Sequence, residues 1–494
     1  MNLQELKARC IPWATVVLLL LLGIGLRALA LSQEAAWGDE ALTTVCFPSG
    51  GLRAYLDCVF SEDDRLRLAP VYYYVQFGWS QCFGGTLNAL RALSIALSVV
   101  AGLQLYGLIR SLHSHRAACW ALFLFSVSLF EIYYGQEVRF YALMNVFALA
   151  ALQGAWWYTR GHTRAGLALA VVGNGGLVWT HTFAVVFVLA LGVYMLRYLR
   201  APKRLIPWFA VHGAMAVTLF GWLAWLRYDF DGQSAAYGDM GAGWRELANT
   251  AIQFAGGRFS NIDPAAYIAG GWSADLILTA LMALLVGMLL ALSLRSRAGR
   301  ARSAESWLLL TALILPPLLL FTLGKVWRPC FFTRYVIYSA LPLYGLAGMA
   351  MASLPSGLFR RGVAVLLVVL FAWQNLALPR PFRADYGAVA RAVATDPAPE
   401  KAVLALKPFN YDAVAYALRD SGVTVELLLG LKEIAGITRA RAAEGKSVWV
   451  VFYRWSDLEA FERQLADAPV TISHFTSAGM PPLTIYHVVP ATGV

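Results

Sequence analysis

Residues 11–31 read IPWATVVLLLLLGIGLRALAL, an apolar run preceded by Lys7 and Arg9. A helix needs ~20 apolar residues to cross the hydrocarbon layer of a bilayer. The run is longer than a signal-peptide core and no small-residue cleavage site follows it, so it is expected to span the membrane. Further apolar blocks lie at 87–112, 117–135, 138–158, 164–180, 182–199, 206–228, 274–294, 307–323, 335–353 and 362–378. Over 494 residues the hydrophobic fraction is 59% and the charged fraction 14%, with a mean hydropathy of +0.58. Such a chain cannot hide its apolar residues in one water-soluble core. A mainly α membrane protein with eleven transmembrane helices is expected, and disordered, collagen-like and coiled-coil classes are excluded.

The net charge of +11 is distributed as a topology signal. With the N-terminus inside, the inner loops receive Arg110 with Arg116, Arg160 with Arg164, Arg197 to Arg204, Arg295 to Arg302, and Arg360-Arg361. Each is short and basic, as the positive-inside rule requires, so a nucleic-acid partner is not expected. The outer side receives the long segments 32–86 and 229–273 and short turns at 135–138 and 324–334. An odd number of spans leaves the C-terminus outside.

Beyond Pro379-Arg380-Pro381 the apolar runs shrink to strand length at 402–406, 423–427, 448–452, 470–473 and 483–489, with helical patterns at 411–419 and 457–465. This alternation predicts a small extracytoplasmic α/β domain over 381–494, after a membrane domain over 1–380. It carries no Gly-rich phosphate fingerprint, and a structural cap is the simpler role. Of six cysteines, Cys46 and Cys58 share one external loop. They can pair in an oxidising compartment or stand as two separate thiols. No Cys–His zinc pattern is present.

Four places carry chemistry-bearing residues. Trp37-Gly38-Asp39-Glu40 puts two carboxylates beside an aromatic at the outer end of the first span, suited to general-base work on a hydroxyl. Gln136-Glu137-Val138-Arg139-Phe140-Tyr141 places Glu137, Arg139 and Tyr141 in a tight outer turn between apolar helices, where charge usually marks a functional interior. Lys325, Arg328 and Arg334 are external cations against the topological bias, and suit an anionic lipid headgroup. His181, in Trp179-Thr180-His181-Thr182-Phe183, falls at the outer face, where a structural histidine is the simpler role. The acidic run of Asp57, Glu62, Asp63 and Asp64 suits a divalent cation or plain solvent. Gly173, Gly175 and Gly176 suggest close helix packing.

Taken in order, these pieces resemble the GT-C superfamily of integral-membrane glycosyltransferases, in the branch of protein O-mannosyltransferases and lipid A aminoarabinose transferases. The matching residues are Trp37-Gly38-Asp39-Glu40, Pro70-Val71-Tyr72-Tyr73-Tyr74, Gln136 to Leu143, Thr180-His181-Thr182-Phe183, and Arg334-Tyr335 with Leu341-Pro342-Leu343. They cover residues 10–380. The resemblance implies a polyprenyl-phosphate-linked sugar as donor and an extracytoplasmic site in the plasma (inner) membrane. Asp39 would be the base and Glu40 its support. Glu137 and Arg139, with Tyr141 and His181, would organise the donor, and Arg334, with Lys325 and Arg328, would hold its phosphate. One departure is Leu68-Ala69-Pro70, where relatives often read His-Pro-Pro.

The expected function is therefore a hexosyl- or pentosyltransferase that inverts the anomeric centre and acts on a protein, lipid or glycan acceptor. A divalent cation is a possible cofactor whose ligands the sequence does not name. The competing class is a transporter or flippase of lipid-linked sugar. That class would place charges at the midplane and show an internal repeat. Here the charges sit at the outer boundary and no repeat is evident.

Overall fold

The computed structural model describes residues 3–29, 31, 36–47, 50–62, 64–199, 202–226, 243–255, 281–289, 291, 304–327, 330–354, 357–377, 384–406, 411–428, 433–452, 458–477 and 483–491. They fall into two compact units. The first comprises Met1–Leu29, Asp64–Trp79 and Arg91–Ala377, and the second Ala30–Asp63, Ser80–Leu90 and Leu378–Val494.

The first unit is helical. Among the described residues five helices are long and apolar enough to cross a membrane: Leu87–Leu112, Pro202–Trp225, Ala304–Val326, Thr333–Ser353 and Gly357–Leu376. Shorter apolar helices cover Trp13–Ala28, His115–Val127 and Thr182–Tyr198. Tyr141–Thr159 and Thr163–Thr180 are helices of 19 and 18 residues. The block expected at 274–294 lies largely outside the described residues, of which 281–289 are helical.

One expected helix is divided. The apolar block 117–135 forms His115–Val127 and Leu129–Tyr134, separated by Ser128 in extended conformation (φ −63°, ψ 121°). The Ser128 hydroxyl lies 3.0 Å from Tyr344 Oη, a side-chain partner that a hydropathy pattern does not encode.

The glycine pattern has its expected effect where Tyr141–Thr159 packs on Thr163–Thr180. A Cβ at Gly154 would lie 2.4 Å from Ala170 N, one at Gly166 2.4 Å from Tyr158 N, and one at Gly173 2.4 Å from Ala151 N. Only backbones without side chains approach so closely. Gly176 faces the Phe147 ring, whereas Gly175 meets only Met215 Sδ at 3.6 Å.

In the second unit the chain forms a five-stranded sheet of order β2-β1-β3-β5-β4. The strands are β1 Lys401–Leu406, β2 Val425–Leu428, β3 Ser447–Phe452, β4 Val470–Thr476 and β5 Thr484–Pro490. β1 runs parallel to β2 and β3, and β5 runs antiparallel to β3 and β4. Alternate residues of β1 serve opposite faces. Ala402, Leu404 and Leu406 join a core with Ile434 and Phe461, while Val403 and Ala405 join one with Val389 and Val414. Both faces of the central strands are thus buried beneath helices, which explains why β3 is apolar without alternation.

Asp396 closes one end of this sheet. It accepts hydrogen bonds from Ser447 Oγ at 2.5 Å, Trp449 Nε1 at 2.9 Å and the Ala398 N–H at 3.0 Å. The His487 ring stacks on Trp449 with centres 4.1 Å apart. Burial pushes the Asp396 carboxyl up, but these hydrogen bonds and His487 outweigh it and hold the group below the usual aspartate range.

Ala30–Asp63 also belongs to the second unit. Trp37 packs against the sheet core that includes Tyr386, Val414 and Trp449. Helix Gly38–Thr44 packs on helix Tyr411–Leu418. Cys46 and Cys58 are disulfide-bonded, with Cα atoms 5.7 Å apart. The sequence leaves their pairing open, and the bond joins the end of Gly38–Thr44 to helix Leu52–Glu62.

Candidate functional site

The turn between Leu129–Tyr134 and Tyr141–Thr159 gathers several of the residues expected to handle a donor. Its backbone folds tightly, with the Arg139 N–H donating to Glu137 O at 2.7 Å. Ser94 Oγ, from helix Leu87–Leu112, donates to the same carbonyl. Glu137 is wholly buried, Arg139 is 7% exposed and Tyr141 1%. Ionisable groups at such burial in an apolar bundle are costly and seldom incidental.

Aromatic rings connect this turn to two distant segments. Arg139 lies 5.0 Å from the centre of the Phe140 ring, which is itself 5.0 Å from the His181 ring. His181 in turn is 4.5 Å from Tyr335. Arg334 covers Tyr335 at 5.6 Å and Phe332 at 5.3 Å. The Tyr141 ring meets Tyr134 at 4.7 Å, and Tyr72 meets Phe140 at 6.3 Å.

Electrostatics give the same grouping. Arg139 and Arg334 both lie near enough to act on the His181 ring, while Arg334 and Glu137 act in opposite senses on the Tyr134 hydroxyl. The structure therefore brings together Glu137, Arg139, Tyr141, His181 and Arg334. His181 reaches this position because helix Thr163–Thr180 stops there, with His181 extended (φ −156°, ψ 115°) before the 3-10 turn Thr182–Ala184. Two guanidinium groups set among rings in an apolar bundle have the charge and shape to receive an anion.

Two other expected members have no described contact with this group. Lys325 is exposed at the end of Ala304–Val326, and its ammonium lies 5.6 Å from the Phe321 ring. Arg328 lies outside the described residues, as do the side chains of Glu62, Asp63 and Asp64. Among the described residues no group of three or more His, Cys, Asp or Glu side chains is placed to hold a metal ion.

Asp39 and Glu40 belong to the second unit, in the first turn of Gly38–Thr44. Trp37 precedes them in extended conformation (φ −101°, ψ 170°) and leaves both at a helix N-terminus, where the backbone dipole favours carboxylates. Asp39 is half-buried and Glu40 fully buried. The Glu40 carbonyl accepts from Thr44 Oγ1 at 2.7 Å.

Two further charges, Arg27 and Glu131, are buried in the bundle, each 2% exposed. Their signal was a single ionisable residue inside an otherwise apolar run. Arg91, fully buried in Leu87–Leu112, carried the same signal.

No family model and no curated protein sequence matches the chain. Solved structures do. ArnT from Cupriavidus metallidurans bound to undecaprenyl phosphate is similar over 95% of this chain and 97% of its own, at 13% identity and a TM-score of 0.55. The same protein in the apo state gives 14% identity and a TM-score of 0.53, over 96% of this chain and 97% of its own. The archaeal oligosaccharyltransferase AglB from Archaeoglobus fulgidus, in complex with an inhibitory peptide and a dolichol-phosphate, matches 90% of this chain and 69% of its own at 13% identity, with a TM-score of 0.51. The chain thus has the fold of these solved structures.

Proposed function

We propose that the protein is a membrane glycosyltransferase that moves a sugar from a polyprenyl-phosphate donor to an extracytoplasmic acceptor. The observation that carries this reading is the convergence of Arg139 and Arg334 on His181, within a bundle whose apolar helices can span a membrane. ArnT was solved with undecaprenyl phosphate and AglB with a dolichol-phosphate, and both are lipids with an anionic head. Two guanidinium forks suit such a head better than a neutral ligand.

In the proposed reaction the acceptor hydroxyl gives its proton to Asp39 as its oxygen bonds to the anomeric carbon. The bond from that carbon to the donor phosphate breaks, and its electron pair leaves with the phosphate oxygen. Attack from the face opposite the leaving group inverts the centre. Arg334 and Arg139 hold the departing phosphate, Glu137, Tyr141 and His181 organise the donor around it, and Glu40 supports Asp39. Removing one such electrostatic group typically costs about 10²–10³ in rate. In this reading the chain's own cations neutralise the phosphate.

Eleven spans with basic loops inside would place the site, the disulfide and residues 381–494 on the outer side of the inner membrane. An oxidising compartment there agrees with the Cys46–Cys58 bond. The decisive experiment incubates the purified protein with a panel of polyprenyl-phosphate sugars and follows release of polyprenyl phosphate. Consumption of one donor supports the proposal. Failure to consume any donor or to bind any of the lipid phosphates refutes it.

A further inference from the structure

Arg27 stands where the block 117–135 breaks. From the last turn of helix Leu3–Ala28, its Nη1 donates to Gly23 O at 3.1 Å and to Ser126 O at 3.2 Å, and its Nη2 to Phe125 O at 3.3 Å. Carbonyls 125 and 126 belong to the last turn before extended Ser128, where the interrupted helix no longer supplies N–H donors. The guanidinium replaces those donors and also lies 5.1 Å from the Phe125 ring centre.

The other side of the break is tied to the same residue. Glu131, on the short helix Leu129–Tyr134, exerts its negative charge on Arg27 and accepts Asn145 Nδ2 at 2.9 Å. The following turn is gripped from several directions. Gln136 Nε2 donates to Arg27 O at 2.6 Å. A Cβ at Gly135 would lie 2.6 Å from Arg27 Nε, 2.7 Å from Glu131 O and 2.8 Å from Ser98 Oγ. Gly135 therefore sits against the guanidinium with no room for a side chain.

We propose that Arg27 and Glu131 are positioning residues, which fix the Gly135–Arg139 turn so that Glu137 and Arg139 keep their places beside Arg334 and His181. This inference rests on the reading of that turn as a donor site. The alternative is that the two charges merely offset one another's burial.

A double replacement separates the two accounts. A buried pair exchanged together for neutral residues of similar volume usually costs little stability, whereas breaking it from one side costs much. Arg27→Met should therefore lower the melting temperature in detergent, and adding Glu131→Gln should restore it while keeping an acceptor for Asn145. If the pair positions the turn, the stable double variant should still show at least tenfold faster hydrogen exchange over 135–140 than wild type. Its kcat/KM with the donor consumed by wild type should fall about 10–100-fold, the scale of a misplacement near 1 Å. Arg27→Lys keeps the charge but cannot span three carbonyls, so it should show the same exchange and rate defects. Wild-type exchange and wild-type kcat/KM in both variants would overturn the proposal. An inactive wild type would defeat the glycosyltransferase reading instead, and the exchange rates would still decide whether Arg27 and Glu131 hold the turn.

Discussion

Removing the Cys46–Cys58 bond is expected to loosen the segment that carries Asp39 and Glu40. The bond spans a sequence separation of 12. For a loop of that size the chain-entropy model gives about 3 kcal/mol of stabilisation at 25 °C. The native conformation it favours is well packed, since Phe47 stacks on Tyr55 at 4.5 Å and both Tyr55 and Val59 are fully buried. If Cys46→Ala/Cys58→Ala acts only through this segment, its opening should become roughly a hundredfold more frequent, at about 1.4 kcal/mol per tenfold. Hydrogen exchange over 38–62 in detergent measures that change. Alkylation provides the companion assay: wild type should bind two fewer labels when denatured without reductant than with it. Equal label counts would show that the bond does not form. Unchanged exchange in a protein shown to contain the bond would show that packing alone holds the segment.

Four other outcomes are expected. Asp39→Asn should lower transfer about 10²–10⁴-fold while leaving lipid-phosphate binding intact, and Glu40→Gln should be milder; a normal rate for Asp39→Asn removes the base assignment. Arg334→Lys should weaken binding of a short-chain polyprenyl phosphate by about tenfold to a hundredfold, because an ammonium cannot reproduce a guanidinium fork, and equal affinity would point to simple interfacial anchoring. Gly166→Val should cost about 1–3 kcal/mol of stability, whereas Gly175→Val, with its nearest neighbour 3.6 Å away, should melt near wild type. Asp396 has a depressed folded pKa, so its stabilisation is complete above the ordinary aspartate value near 3.9 and fades as pH falls through the lower folded value. Asp396→Asn should flatten that acid-side loss, read as hydrogen exchange over β1 and β3.

The sheet was legible because strands of this kind announce themselves through short β-rich apolar runs. β1 and β3 begin at Lys401 and Ser447, one residue before the expected runs, and β5 at Thr484, one residue after. The break at His181 was legible too, since a histidine flanked by threonines interrupts an apolar pattern. Ser128 gave no such warning: a small residue is neutral in a hydropathy window, and its break depends on Arg27 and Tyr344, which lie far off in sequence. At the site, local charge revealed Glu137, Arg139 and Arg334. Arg27 and Glu131 each stand alone in an apolar run, a signal that names no partner, and only the fold brings them within electrostatic reach of one another.

The packing of Trp37 into the sheet core has a practical consequence for chimeras. A chimera joined near residue 380 would exchange the sheet and leave behind the aromatic that completes its core. The graft would then carry a defect in its interior, and the acids next to that tryptophan would lose their footing. A swap that moves Ala30–Asp63 and Ser80–Leu90 together with Leu378–Val494 transfers a complete hydrophobic interior, including the disulfide. The sensible unit of exchange between chains of this fold is thus discontinuous in sequence, and its first piece contains the carboxylates.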